Sequence, residues 1–206
     1  MLPTFKSFYN NTLKTLKESV DLDSLPIFQD PTTIHNHITI ENGEKVIKGS
    51  IDFSYKNLTE LPDLSDVKVL GVFYCGFNQL QTLEGSPKYV VGDFYCSDNQ
   101  LQTLKGSPEY VGSYFDCSNN PQLTTLKGLP KYIGGDLFWY YTKVTMEDFY
   151  ENLLLSDVKG EPMARIGDED EVGYDEYPEE PMSREEVYST AKAYKFYNTP
   201  SEDIDF

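Results

Sequence analysis

The sequence predicts an α+β repeat protein: a solenoid of about four to five coils, each 21–22 residues long, built on parallel strands and closed by helical caps at both ends. Three observations predict it. Cys75, Cys96 and Cys117 follow one another at intervals of 21 residues. The residues around them recur, as Val72-Phe-Tyr-Cys-Gly-Phe-Asn-Gln-Leu-Gln-Thr-Leu83, Asp93-Phe-Tyr-Cys-Ser-Asp-Asn-Gln-Leu-Gln-Thr-Leu104 and Tyr114-Phe-Asp-Cys-Ser-Asn-Asn-Pro-Gln-Leu-Thr-Thr-Leu126. Each copy then runs into a Gly-Ser-Pro or Gly-Leu-Pro segment at Gly85, Gly106 and Gly128. Ile51 to Leu61 reads as a degenerate earlier copy, and Asp136-Leu-Phe-Trp139 opens a last one with Trp139 in the cysteine slot.

The shared pattern, apolar-x-Cys-x-x-Asn-x-Leu-x-x-Leu, is the leucine-rich-repeat template. Side chains alternate along a strand, so Phe73 and Cys75 point inward while Tyr74 points out. Asn78, Asn99 and Asn120 fall where the chain leaves the strand, and a side-chain amide there can pair the backbone groups of the turn. Leu80 and Leu83 fill the interior, and the Gly and Pro positions turn the chain back. One coil cannot bury its own apolar face, so the coils must stack. The wording of the repeats over about residues 49–141 also resembles the leucine-rich-repeat-like proteins encoded by tailed bacteriophages, in "GSIDFSYKNLTELP", "VFYCGFNQLQTLEGSPKYVVGDFYCSDNQLQTLKGSPEYVG" and "LKGLPKYIGGDLFW". That resemblance implies a phage origin and a binding role.

The solenoid is therefore expected over 49–141, preceded by a helix-and-hairpin cap over 1–48. Thr4 can cap a helix over 4–20 that gathers Leu2, Phe5, Phe8, Leu13, Leu16 and Val20 near one face, a helix read as packing on the first coil. Phe5-Lys-Ser-Phe8 resembles the short N-terminal segments that direct proteins into phage proheads. Ile34-His-Asn-His-Ile-Thr-Ile40 alternates at period two, and Asn42-Gly43 supplies the turn to Lys45-Val-Ile47, a hairpin that would cover the open edge of the stack. Beyond the repeats, Thr145 caps a helix within a C-terminal cap over 142–156. Residues 157–206 read as an acidic linker followed by a helix that opens at the capping box Ser183-Arg-Glu-Glu186.

Charge narrows the function classes. The 34 acids exceed the 17 bases by 17, and residues 156–206 alone hold 15 acids against 5 bases. Phosphate backbones and anionic bilayers both require clustered Lys and Arg, so neither nucleic acid nor membrane is expected as a direct ligand. No apolar run is long enough to span a bilayer, and Met1 to Lys6 lacks the pattern of a secretory signal. No nucleophile elbow, phosphate-cradling glycine loop or zinc-protease helix is present, so no enzyme, catalytic residue or cofactor is expected. Cysteines on adjacent parallel coils stand in single file, which cannot make a tetrahedral zinc site, and read as core thiols. His35 and His37 would share one strand face, but no third metal ligand is indicated beside them.

Two surfaces remain as candidates for binding. The outward strand face carries Tyr74, Asp93, Tyr95, Tyr114, Asp116, Asp136, Phe138 and Tyr140, an aromatic ladder flanked by acids. The acidic tail carries Asp168, Glu169, Asp170, Glu171, Asp175, Glu176, Glu179 and Glu180, with no Lys or Arg among them. Both call for a protein partner with a basic surface. The expected setting is the virion, with the host cytoplasm as the alternative, where an early inhibitor would use the tail to imitate nucleic acid.

Overall fold

A computed structural model describes residues 25–160, 162–163 and 184–198 of the chain. The helix expected over 4–20 and the acidic run 168–180 lie outside these residues.

The chain winds into a parallel-strand solenoid of about six turns. Two sheets of seven strands each face one another across the core. Sheet A stacks β1 (Ile27–Phe28), β4 (Ser50–Asp52), β6 (Phe73–Tyr74), β8 (Phe94–Tyr95), β10 (Phe115–Asp116), β12 (Leu137–Phe138) and β14 (Pro162–Met163). Sheet B stacks β2 (Thr39–Glu41), β3 (Glu44–Ile47), β5 (Val67–Val69), β7 (Tyr89–Val90), β9 (Tyr110–Val111), β11 (Tyr132–Ile133) and β13 (Asp157–Val158). All pairings are parallel except the β2–β3 hairpin.

This corrects the expected count of four to five coils. Strand pairs on either side of the recognisable repeats continue the same two ladders, because pairing needs backbone in register and an inward apolar residue, not the repeat's full wording. β1 pairs with β4 and β14 with β12 although neither carries the Phe-Tyr-Cys signature. The second row of strands is also absent from the one-strand-per-coil template. Lys-Tyr-Val and Lys-Tyr-Ile supply β-forming residues between Pro87 and Gly92, and again between Pro130 and Gly134, so each coil returns through sheet B.

The interior is a set of columns, one residue per coil. Ile51, Phe73, Phe94, Phe115 and Leu137 align, and the three Phe rings stack at 5.3 and 5.4 Å. Phe53, Cys75, Cys96, Cys117 and Trp139 form the next column, all buried. From sheet B, Ile47, Val69, Val90, Val111, Ile133 and Val158 face them.

A row of asparagines ties each coil to the one before it. The Asn99 amide donates to the Cys75 carbonyl of the preceding coil at 3.0 Å and to Cys96 and Ser97 of its own at 3.2 Å, while its Oδ1 accepts the Leu80 N–H at 3.0 Å. Asn120 repeats the pattern, donating to the Cys96 carbonyl at 3.2 Å and accepting from Leu101 N–H at 2.9 Å. Asn78 does the same toward Phe53 and Leu58. At the next corner Thr142 takes the slot and its hydroxyl donates to the Trp139 carbonyl at 3.1 Å. The turn at Gly106 requires glycine, since φ is +88° and a Cβ would stand 2.3 Å from the Glu84 nitrogen.

Both ends of the stack are closed. At the start, Asn42 and Gly43 adopt φ of +52° and +81° and turn the β2–β3 hairpin, whose β3 pairs with β5. The strand is shorter than its alternating pattern suggests: Ile34–His37 forms a single 3-10 turn, with Ile34 driven into the core. At the far end α1 (Met146–Leu153) lies against the last coil, capped by Thr145, whose hydroxyl accepts the Asp148 N–H at 3.2 Å. Phe149 of this helix stacks on Trp139 at 4.9 Å. α2 (Arg184–Asn198) packs on α1, and the Tyr188 hydroxyl bridges the Ser156 carbonyl and the Val158 N–H at 3.1 Å each.

Candidate functional site

Sheet A presents its outer face as a ladder set by strand register. Tyr74, Tyr95, Asp116 and Phe138 are directly opposite one another on β6, β8, β10 and β12, all half-buried. The repeat spacing places one such residue per coil, and coils about 4.8 Å apart bring identical rings into stacking distance. Tyr74 and Tyr95 accordingly stack at 5.1 Å with planes 5° apart.

The second row, two residues earlier on the same face, holds Asp93, Tyr114 and Asp136. The Asp93 carboxylate accepts the Tyr95 hydroxyl at 3.3 Å and the Tyr114 N–H at 3.0 Å, locking the two rows together. The Tyr114 ring lies 5.9 Å from Phe138, which lies 5.9 Å from Tyr140. The eight strand-face residues read from the sequence thus lie along one surface. Burial, with the neighbouring Asp93 charge, pushes the Tyr95 hydroxyl well above its ordinary value, so it stays a neutral donor. Burial also raises the Asp116 carboxyl, opposed by the Ser118 N–H that it accepts at 2.9 Å.

A further row adjoins this face and is missing from the sequence reading. Tyr55, Phe77, Asp98, Asn119 and Tyr141 occupy the same corner of successive coils, each with positive φ between 52° and 58°. Tyr55 and Phe77 stack at 4.4 Å while remaining 69% and 46% exposed. Asn119 donates to Asp98 across one coil at 3.2 Å. The available signal was the position two residues after the cysteine slot, which precedes Lys56 in the first coil, the corner asparagine in the next three and Thr142 in the last. A left-handed corner favours Gly, Asn or Asp, and an aromatic there keeps a backbone cost of order 1 kcal/mol in exchange for surface.

The other candidates resolve into structure. Cys75, Cys96 and Cys117 are free and fully enclosed, and burial raises all three thiols far above their ordinary range, which leaves no reactive thiolate. His35 and His37 do not share a strand face, because their segment is a 3-10 turn. His35 Nε2 lies 2.9 Å from the Asp63 carbonyl, and the His37 ring stacks on Phe28 at 4.1 Å. Among the described residues no three or more His, Cys, Asp or Glu side chains are placed to hold a metal, and no helix is long and apolar enough to cross a membrane. No protein-family model, curated protein or solved structure matches the chain.

Proposed function

We propose that this solenoid is a non-enzymatic protein-binding module that docks a basic partner on the outer face of sheet A. The observation that carries the reading is the Tyr74–Tyr95 stack interleaved with Asp93, Asp116 and Asp136. Ring faces attract Lys and Arg side chains, and carboxylates beside them supply charge-assisted hydrogen bonds, so one surface offers both halves of guanidinium recognition. The exposed Tyr55–Phe77 pair widens it with apolar area.

The proposed setting is a tailed phage, with the protein a virion-associated structural or accessory component; the wording of the repeats supports this. The leucine-rich-repeat kinship proposed for the coils is supported by the Asn corner and its two following leucines. A second reading is favoured by the net charge of −10 in residues 156–206: an early inhibitor that engages a host or defence protein through the acidic tail.

The test uses the full chain, offered to dissociated virion proteins and to host lysate. One variant is Tyr74→Ala with Tyr95→Ala. The other converts the eight acids of 168–180 to Asn or Gln. Cutting the chain after Ser156 is unsuitable, because it would remove buried Val158 and the Tyr188 bridge. Loss of capture of a virion protein by the aromatic variant is expected at about tenfold or more, the scale of losing a stacked anchor. Unchanged capture by both variants refutes both surfaces, and loss only in the tail variant, with a host protein, selects the inhibitor.

A further inference from the structure

The aromatic column on the outer face of sheet A is broken once, and the break is a carboxylate. Tyr74 and Tyr95 stack at 5.1 Å, which covers one face of the Tyr95 ring. Toward the next coil, the residue directly opposite Tyr95 is Asp116, and the one beyond it is Phe138. The positions of Tyr95 and Phe138 are thus about 9.6 Å apart at ~4.8 Å per coil step, with Asp116 at the midpoint. Tyr114, two residues before Asp116 on the same face, lies 5.9 Å from Phe138 and is 41% exposed, so it adds a third aromatic wall.

Among the described residues, no basic side chain answers that carboxylate. Asp116 Oδ1 accepts the Ser118 N–H at 2.9 Å. The ion pairs of the described residues join lysines to acids elsewhere, such as Lys131 to Glu109 and Lys105 to Glu84, and none includes Asp93, Asp98 or Asp116. The Asp98 charge on the preceding coil adds to burial in raising the Asp116 carboxyl. Two related acids differ. Asp93 has both oxygens engaged, by the Tyr95 hydroxyl and the Tyr114 N–H. Asp52 shares the column with Asp116 and accepts the Ser54 N–H at 3.0 Å in the same way, but Gln29 donates to its second oxygen at 3.5 Å.

We propose that Tyr95, Asp116 and Phe138, with Tyr114 beside them, form a cup for one alkylammonium head, the end of a lysine side chain on the partner. The inference rests on the binding role proposed for sheet A and names the side chain which that surface takes at this point. A cation at the midpoint stands about 4.8 Å from each ring, inside the ~6 Å reach of a cation–π contact. A round head meets both rings from there, whereas a flat guanidinium stacked on one ring leaves the other unmet. With Oδ1 engaged by Ser118, Asp116 offers one oxygen, which suits a point charge better than the two-pronged fork of arginine. The lysine stem then leaves the cup past exposed Tyr114, along apolar surface that its methylenes can cover.

Titration of the isotope-labelled full-length protein with end-blocked tripeptides, read by NMR at the Ser118 amide, tests the cup. The probes are Gly-Lys-Gly, Gly-Arg-Gly and Gly-norleucine-Gly. The lysine peptide should shift the Ser118 amide saturably with a millimolar Kd, and the uncharged norleucine peptide should bind at least about tenfold more weakly. Asp116→Asn, which can still accept the Ser118 N–H, should weaken lysine binding about tenfold, and Phe138→Leu at least about threefold, while Asp52→Asn stays within about twofold. Equal weakening by Asp116→Asn and Asp52→Asn overturns the proposal, since it reports only the charge of the whole face. So does equal or tighter binding of the arginine peptide, or no saturable shift up to about 50 mM. In the wild type, Overhauser contacts from the lysine ε-methylene to the Tyr95 and Phe138 rings are expected, and their absence from either ring overturns the cup whether or not the variants fold. Failure of the tripeptide with capture of a protein partner retained removes the cup alone; binding of the tripeptide with no partner captured supports the cup and removes the docking reading.

Discussion

Replacing Asn99 by Ala removes the amide that joins two coils, and the cost can be worked from its contacts. One buried group loses its only partner, the Leu80 N–H, while the Cys75 carbonyl keeps the Asn78 amide at 3.0 Å and the Cys96 carbonyl keeps the Asn120 amide at 3.2 Å. The Ser97 carbonyl keeps a second bond, from the Phe77 N–H at 3.1 Å. A buried group left unpaired costs about 1–3 kcal/mol, and the second bonds lost at the three carbonyls add about 1 kcal/mol together, which sets the loss at about 2–4 kcal/mol. Asn99→Thr should cost nearly as much, about 1–3 kcal/mol, because a hydroxyl can keep the bond within the coil, as Thr142 does, but leaves the Leu80 N–H of the preceding coil unpaired. Gln102→Ala, at an exposed position on the same coil, should stay within about 0.5 kcal/mol. The assay is urea unfolding followed by Trp139 fluorescence and by far-UV circular dichroism, with coincident curves required before a free energy is taken. A loss below about 1 kcal/mol for Asn99→Ala, at unchanged slope, would refute the idea that the amide row holds the stack together.

Two further outcomes are expected. Burial raises Asp116 above its usual 3.8, so the folded state holds the proton more tightly than the unfolded chain; stability is lost as pH rises from the unfolded toward the folded value and stays lost at neutral pH. Asp116→Asn, which can still accept the Ser118 N–H, should therefore raise the melting temperature at pH 7, with the gain vanishing below about pH 3.8; an equal gain at both pH values would show that the charge is not the cause. Trp139→Phe should change stability by no more than about 1 kcal/mol by circular dichroism, because the void left by the smaller ring is offset by removal of a buried indole N–H that has no partner; a loss above about 3 kcal/mol would contradict that balance.

The stacking of coils, the inward cysteine column and the corner asparagines were legible in the sequence because a fixed spacing repeats the same environment. Three cysteines in register determine one another's surroundings in a way that a lone cysteine does not. What escaped lacked that redundancy. β14 begins at Pro162 and shares no wording with Phe-Tyr-Cys, yet it pairs with β12 because the chain after α1 leads it there. His35 and His37 alternate like strand residues, but Ile34 is drawn into the core and winds the segment into a 3-10 turn, a tertiary demand that local alternation cannot report. On the outer face of sheet A, the aromatic column followed from alternation. The corner row at Tyr55 and Phe77 did not, because a left-handed backbone was not anticipated at positions filled by aromatics.

The asparagine row also gives the stack a direction of growth. Each amide serves the coil before it, so every coil is completed by its successor and the last must be completed by something else. Leu123, in the place of Leu80 and Leu101, turns its N–H to the Asn120 carbonyl of its own coil at 2.9 Å, and α1 serves the leucine after it, with Asp148 accepting the Leu126 N–H at 2.6 Å and the Thr125 hydroxyl at 2.5 Å. A lineage can thus gain or shed a unit of 21 residues between two asparagine corners without rewriting either neighbour, while the terminal helix must travel with whichever coil comes last. The length of the outer face of sheet A is then a quantity that duplication can adjust one unit at a time, with the ends kept constant.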